Sequence, residues 1–531
     1  MKLTTNQEII LKGTNTICDA VKATLGTKGR TVLFNTFMSE ENKPSVTKDG
    51  ATVAKNIRSA DDYENLVISV VREASLKTML SAGDGTTTTC VIAQYIVNKG
   101  VDLLNLGISY YELSKGIDLA VKNVVDYLKL HSTPVDNDAA LLKEIASISA
   151  NDETVGELIY DVINDIGVYG NIEVKRSQLY STRVEKTKGI KTGKGWYNAF
   201  MVNNLKKESF EVKDCAVLIV TDEIRDFKVL EDYLKFLDGM PLLIFCESIS
   251  EQLLIRLKSY IEGIKYPLCF VENDEYRDRK MMLCRDIGII TGARVITSHD
   301  RFDRDNLGFA DEIRVTEHNT AIIGGDINQE AADIEIARIM ELLESDRLNA
   351  NTEMSNMEKR FYQKRLANYT GGMALIQVGG RTQIEMNELK DRIDDAVLAV
   401  ESAVREGVSV GGGFTFVNCK NALEAKLNDI SVNRQGYQLV LDAIVEPFKQ
   451  LLVNSEKMGE FSIIREQLLN QQGYDLRNNQ FLPLKTETTS VKTYSVFDAT
   501  AVLIDALTNG VSVGKSLLSV KELIYDGIRK I

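Results

Sequence analysis

The sequence predicts a multidomain protein of α and α/β parts, with a mostly helical domain assembled from both ends of the chain and an α/β domain inserted between them. Three observations carry this expectation. Both terminal regions follow helical spacing. The middle alternates strand-length apolar runs with helix-like stretches. The length, 531 residues, exceeds what one ordinary hydrophobic core serves.

Residues 5–130 read mostly helical. Leu66, Val67, Val70, Val71 and Ala74 recur at the three-four spacing of a helix with one buried face, and Ile117, Val121, Val124, Val125 and Leu128 repeat it. Two punctuated segments separate such helices, Thr24-Leu25-Gly26-Thr27-Lys28-Gly29 and Ser81-Ala82-Gly83-Asp84-Gly85. Between residues 188 and 373 the rhythm changes. Apolar runs of strand length at 215–221, 242–245, 268–271 and 293–297 alternate with helix-like stretches such as 226–238 and 250–263. Strand and helix in alternation predict a largely parallel sheet. The last 125 residues return to helical patterning. There is no internal repeat and no low-complexity tract.

Composition narrows the function classes. Apolar residues make up 44% and charged residues 26%, a globular profile. No run of eighteen apolar residues suggests a membrane span, and the N-terminus lacks a secretory apolar core, so a cytoplasmic location is expected. A formal charge of −13 argues against nucleic acid or an anionic membrane as partner. Seven scattered cysteines without a C-x-x-C pair suggest reduced, buried thiols. Three histidines far apart give little support to a zinc site or a Ser-His-Asp triad.

The strongest chemical signal is Gly83-Asp84-Gly85-Thr86-Thr87-Thr88-Thr89, leading into the apolar run Val91-Ile92-Ala93. Glycines allow close backbone approach. Threonines at a helix start would cap it, and a helix start attracts phosphate. Asp84 would repel a bare phosphate but would serve a hard cation such as Mg²⁺ placed between them. An Asp-Gly turn with a Thr-rich cap explains the same residues, and at this point both readings stand. Gly411-Gly412-Gly413, after a helical stretch at 386–406, reads as a helix stop or as a nucleotide contact. Two lookalikes fail. Asn509 stands where a P-loop ending at Gly514-Lys515-Ser516 needs its first glycine, and Asn198 stands where a dinucleotide fingerprint beginning at Gly193 needs its third.

Several segments together resemble group I chaperonins, the GroEL family, in order and nearly in spacing. They are Thr24-Leu25-Gly26-Thr27-Lys28-Gly29-Arg30, Thr47-Lys48-Asp49-Gly50, Ala82 to Thr88, Ile148-Ser149-Ala150-Asn151, Gly371-Gly372-Met373-Ala374, Glu385 through Arg392-Ile393-Asp394-Asp395-Ala396 to Gly413, and Val496-Phe497-Asp498. The resemblance spans essentially the whole chain. It implies a mostly helical equatorial ATP-binding domain at 1–130 and 406–531, a small α+β intermediate hinge domain at 131–187 and 374–405, and an inserted α/β apical polypeptide-binding domain at 188–373.

By the same resemblance, the protein is an ATPase that captures non-native polypeptides in a homo-oligomeric ring, heptameric and single or double. Thr24, Leu25, Gly26 and Thr27 would hold ATP from one loop, with Lys48 and Asp49 beside the phosphates. Asp84 would bind Mg²⁺, and Gly85, Thr86, Thr87 and Thr88 would cradle the phosphates. Gly412, Asp498 and Asp475-Leu476-Arg477 would contact base and ribose. Asp395 would swing over the nucleotide and, with Asp49, serve the attacking water; read by itself, it is a solvated charge beside Asp391, Arg392 and Asp394. A potassium ion beside the first loop is also implied. Trp196, Phe200, Met201, Leu254 and Leu257 would line the apical groove.

The chain departs from the family at several points. Thr27 replaces a usual proline, which gives the loop more freedom. The distance from Asp475 to Asp498 is longer than usual. Lys258 and Ser259 stand where the groove is usually apolar, a change that bears on client choice and on co-chaperonin docking. The end, Asp526 to Ile531, lacks the usual Gly-Gly-Met tail. A scaffold that keeps the fold without catalysis would have no need of Asp49, Asp84 and Asp395 together.

Overall fold

The computed structural model describes residues 5–35, 44–135, 138–150, 152–177, 180–204, 209–264, 267–273, 278–301, 303–348, 356–370, 372–425, 427, 434–469, 472–475, 480–483 and 497–524. Asn151, Gly371, Leu476, Arg477, Val496 and the segment from Asp526 on lie outside the described residues. The chain divides into two compact units, one of residues 1–160 and 391–531 and the other of residues 161–390.

The first unit is helical. Ile17, Cys18 and Val21 of the helix Thr5–Lys22 share a core with Val67, Ile68 and Val71 of Asp62–Ala82, and with Cys90, Ala93 and Val97 of Thr86–Asn105. Val513 and Leu517 of the C-terminal helix Thr500–Ser519 complete the same core, so the two ends of the chain fold as one body. Close approach at this seam depends on glycine. A β-carbon at Gly510 would stand 2.8 Å from the Thr89 carbonyl oxygen, and one at Gly514 would stand 2.6 Å from Ile96 Cγ2. From the opposite helix, Gly100 makes room for Leu518 in the same way. The segment resembling a P-loop is therefore the packing face of a helix, with its glycines one turn apart. Thr500–Ser519 is long and apolar enough to cross a membrane, but burial against its neighbours accounts for that composition.

The strands Val408–Val410 and Phe497–Ala499 pair antiparallel, with Ser409 opposite Asp498. The Thr500 hydroxyl joins those of Ser409 (2.8 Å) and Ser132 (2.7 Å), tying three distant stretches of chain at this point.

The second unit carries a seven-stranded sheet and a three-stranded sheet. The expected apolar runs form Phe210–Val220, Leu242–Cys246, Leu268–Glu272 and Val295–Ile296, all mutually parallel. The expectation of a largely parallel sheet needs correction. Gly308–Val315 runs antiparallel to Phe210–Val220 and forms a hairpin with Thr320–Ile323, to which Gly189–Thr192 adds antiparallel. The turn at Thr316–Asn319, closed by the Thr316 N–H to Asn319 carbonyl bond, is too short for the crossover that a parallel pair needs. In the smaller sheet Met373–Val378 lies between Asn171–Arg176, parallel, and Arg183–Thr187, antiparallel.

Three helices of this unit meet at a buried ionic cluster. Arg365 grips Asp286 through Nε (2.8 Å) and Nη2 (2.7 Å) and reaches Glu335 at 2.7 Å. The Tyr369 hydroxyl donates to the same Asp286 carboxylate. Burial pushes the Asp286 carboxyl above its ordinary range, against the pull of Arg365.

Candidate nucleotide site

The segments singled out for phosphate chemistry converge within the first unit. The loop after Lys22 closes on itself through Thr24 N–H to Val21 O (3.0 Å), Gly29 N–H to Gly26 O (3.0 Å) and Arg30 N–H to Ala23 O (2.8 Å). Gly26 has φ +77°, a conformation that favours glycine. Lys48 Nζ donates to the Thr27 carbonyl at 2.9 Å, joining the second segment to the first. Asp49 caps the helix Gly50–Asn56, accepting from the Ala51 and Thr52 N–H groups at 3.1 and 2.7 Å. A β-carbon at Gly50 would lie 2.3 Å from Thr87 Oγ1 and 3.2 Å from Thr24 Oγ1, so three separate segments meet at this glycine.

The helix Thr86–Asn105 begins differently from expectation. Its cap is Gly85, at φ 92°, which offers no side chain; Thr86, Thr87 and Thr88 lie inside the first turn and do not cap it. Thr89 instead turns its hydroxyl back to the Gly85 carbonyl at 3.0 Å. The first N–H groups are thus left without a side-chain cap, and the positive end of the helix faces the carboxylates. Gly83, at φ 78°, ends the preceding helix, and a β-carbon there would strike Leu398 Cβ at 2.1 Å. Ser402 Oγ donates to the Ala82 carbonyl at 2.8 Å. Those two contacts seat the long helix Gln383–Glu406, which carries Asp395, against the Gly83-Asp84-Gly85 turn.

Four carboxylates then act on one another. Asp395 is pushed from 3.8 up to about 8, first by burial and then by the charges of Asp84, Asp49, Asp394 and Asp391. Asp498 rises to about 7, first by burial and then by Asp84, while the Gly412 N–H opposes the rise. Asp84 is reachable by solvent, yet enough protein walls it that burial raises its proton affinity. The Gly85 N–H at 2.6 Å pulls the other way, and Asp49 adds repulsion. These carboxyls raise one another's proton affinity, and a cation placed among them would relieve that repulsion. Among the described residues no three ligand-type side chains stand close enough to cage a metal alone.

Asp475 closes the strand Gln472–Asp475. The groove residues lie in the second unit. Met201, 2% exposed, and Leu257, fully buried, belong to its core and not to a surface groove, which corrects the expectation for both. Met201 fills space behind Phe270, whose N–H points at its sulfur at 3.4 Å, and Leu257 lies on the inward face of the helix Glu251–Ile264. Trp196, Phe200 and Leu254 pack half-buried on that core, and Ile255 of the same helix as Leu254 stands out to solvent, at 70% exposure.

Sequence reasoning missed Ser402, Leu451 and Asn454. They are ordinary helix residues in the sequence, and only the packing brings them to the glycine turns.

The sequence model of the TCP-1/cpn60 chaperonin family matches residues 17–234 and 272–527. Among solved structures the chain is similar to the chaperonin gp146 from the bacteriophage EL 2 (Pseudomonas aeruginosa), crystallised in the presence of ATP-BeFx. One crystal form superposes with a TM-score of 0.74 at 21% identity, covering 98% of both chains. A second form gives 0.64 at 22% identity with the same coverage. The family match covers most of the chain while identity to these structures is low, and the protein belongs to the TCP-1/cpn60 chaperonin family as a divergent member.

Proposed function

We propose that the chain is an ATP-hydrolysing chaperonin subunit that captures non-native polypeptides in a ring cavity and promotes their folding. The observation that carries this reading is the set of Asp49, Asp84, Asp395 and Asp498 around the open N-terminus of the Thr86–Asn105 helix. Thr24 to Thr27 and Lys48 hold the nucleotide from one side, and the first turn at Gly85 to Thr88 receives its phosphates. Gly412 and Asp498 meet base and ribose, with Asp475-Leu476-Arg477 assigned there by resemblance. Asp84 holds Mg²⁺, which neutralises phosphate charge when bound. Asp49 and Asp395 orient the attacking water and accept its proton.

The domains follow the resemblance: equatorial at 1–130 and 406–531, intermediate at 131–187 and 374–405, apical at 188–373. The apical surface at Trp196, Phe200, Leu254 and Ile255 binds clients, and the subunits close into a seven-membered single or double ring in the cytoplasm. Phosphate release by the purified protein, titrated with Mg²⁺, tests the ATPase. Release that depends on Mg²⁺ and is lost in Asp84→Ala is the expected result; equal release by the variant removes the metal role. Native mass tests the ring, and a monomer under all nucleotide conditions sinks it.

A further inference from the structure

The helix Glu446–Asn454 touches both glycine loops of the proposed nucleotide site. Near its start, Phe448 packs on Gly413: a β-carbon at that glycine would stand 2.9 Å from Phe448 Cβ, and the Phe414 and Phe448 rings lie 5.3 Å apart. Near its end, Leu451 covers Gly26, where a β-carbon would stand 2.3 Å from Leu451 Cδ2. Three residues further on, Asn454 Nδ2 donates to the carbonyl oxygens of Lys22 and Leu25, both at 3.0 Å.

These are carbonyls at and just beyond the end of the Thr5–Lys22 helix, past its internal ladder; Lys22 O also accepts from the Leu25 N–H at 3.3 Å. The orientation of the amide is fixed from behind, since Asn454 Oδ1 accepts from Gln450 Nε2 at 2.8 Å. The nearby Arg30–Glu456 pair, at 3.0 Å, is exposed on both sides and contributes little to holding the loop.

We propose that Asn454 is a positioning residue for the nucleotide. It holds the Thr24–Thr27 loop at a set distance from the Gly411–Gly413 loop, with the 446–454 helix as the strut between them. The inference rests on the nucleotide reading above. Asn454 touches no part of the ligand; its contribution is that the loop already stands where the ligand needs it. Only an amide performs this task at this size. Alanine takes the Asn454 donor from both carbonyls and leaves the Lys22 carbonyl only the Leu25 N–H, at 3.3 Å. Aspartate keeps the shape but turns an oxygen toward both of them.

The test compares wild type, Asn454→Ala and Asn454→Asp as full-length protein. MgATP and MgADP affinities are measured by calorimetry, beside melting temperature without nucleotide. The expected result is an affinity loss of about tenfold for alanine and a larger loss for the isosteric aspartate. Affinities equal to wild type in both variants overturn the proposal. So does a fall in melting temperature with affinity per folded molecule unchanged, because Asn454 would then be a helix cap and nothing more. Should either variant fail to fold, Leu451→Ala releases the same loop from the other contact and carries the same expected affinity loss; unchanged affinity there overturns the strut. Wild type that binds no MgATP overturns the nucleotide reading itself, an outcome distinct from wild type binding and the variants binding equally well.

Discussion

Gly50 stands so close to Thr87 that a β-carbon on it would lie 2.3 Å from the threonine hydroxyl oxygen. The contact joins the segment that presents Lys48 and Asp49 to the helix that presents the threonine turn. No side chain is missing here by accident: the side chains of Thr87 and Thr24 occupy the space that one on Gly50 would take. Gly50→Ala is expected to push Thr87 out of register and to cost about 1–3 kcal/mol in stability. MgATP affinity should fall with it. Urea unfolding beside nucleotide titration checks both, and unchanged affinity would remove Gly50 from the site's architecture.

Asp395→Asn should keep MgATP binding and lose most hydrolysis, roughly 10²–10⁴ in rate. The amide retains the shape of the side chain and removes the proton acceptor. Single-turnover hydrolysis at saturating ATP reads the effect. A rate within a few-fold of wild type takes Asp395 out of the mechanism.

The same residue predicts a pH dependence. Its carboxyl is raised from 3.8 to about 8 in the folded chain, so the native state holds that proton more tightly than the unfolded state does. Stability is therefore lost as pH rises through that window and is not regained above it. In buffer free of nucleotide and magnesium, Asp395→Asn should melt above wild type at pH 9, with the gap closing toward pH 4. A gap that stays constant over the whole range contradicts the assigned repulsion.

In the second unit, Arg365→Ala leaves Asp286 and Glu335 buried without their shared cation. Removing one partner from a buried ionic cluster costs about 3–5 kcal/mol. Unfolding followed through Trp196 should report the loss. A change under about 1 kcal/mol would mean that the carboxylates had found protons or water in compensation.

Client capture should separate two residues of one helix. Ile255, at 70% exposure, offers its side chain to solvent, while Leu257 is fully buried. Ile255→Ser is expected to weaken retention of a denatured client, with stability within about 0.5 kcal/mol of wild type. Leu257→Ser should lower the unfolding midpoint instead. If Ile255→Ser retains clients as wild type does, this face of the helix is not the capture surface.

The parts legible in the sequence are those written in local periodicity. Uninterrupted apolar runs such as Leu242–Cys246 announce a buried strand because both faces are covered. Gly308–Val315 escaped notice because Asp311, Glu312 and Arg314 interrupt its apolar positions, leaving no such run. Residue type told that Met201 and Leu257 are apolar but not which way they point. The glycine-threonine turn was visible as chemistry, whereas its cap was misassigned: four consecutive threonines draw attention away from the glycine that holds the capping position. Asn454 had no signal at all, since its partners lie at and just beyond the end of the Thr5–Lys22 helix, more than four hundred residues away.

The seam at Gly510 and Gly514 has a consequence for synthesis. The helix that bears the glycine-threonine turn packs on residues 500–519, and these leave the ribosome some four hundred residues after it. The unit at 161–390 has all its strands available long before then. A nascent chain thus carries a complete middle body while its helical unit still lacks one wall of its core. Until that wall arrives, the face of the Thr86–Asn105 helix at Cys90, Ala93 and Val97 lacks the cover of Val513 and Leu517, an apolar surface left bare in the growing chain.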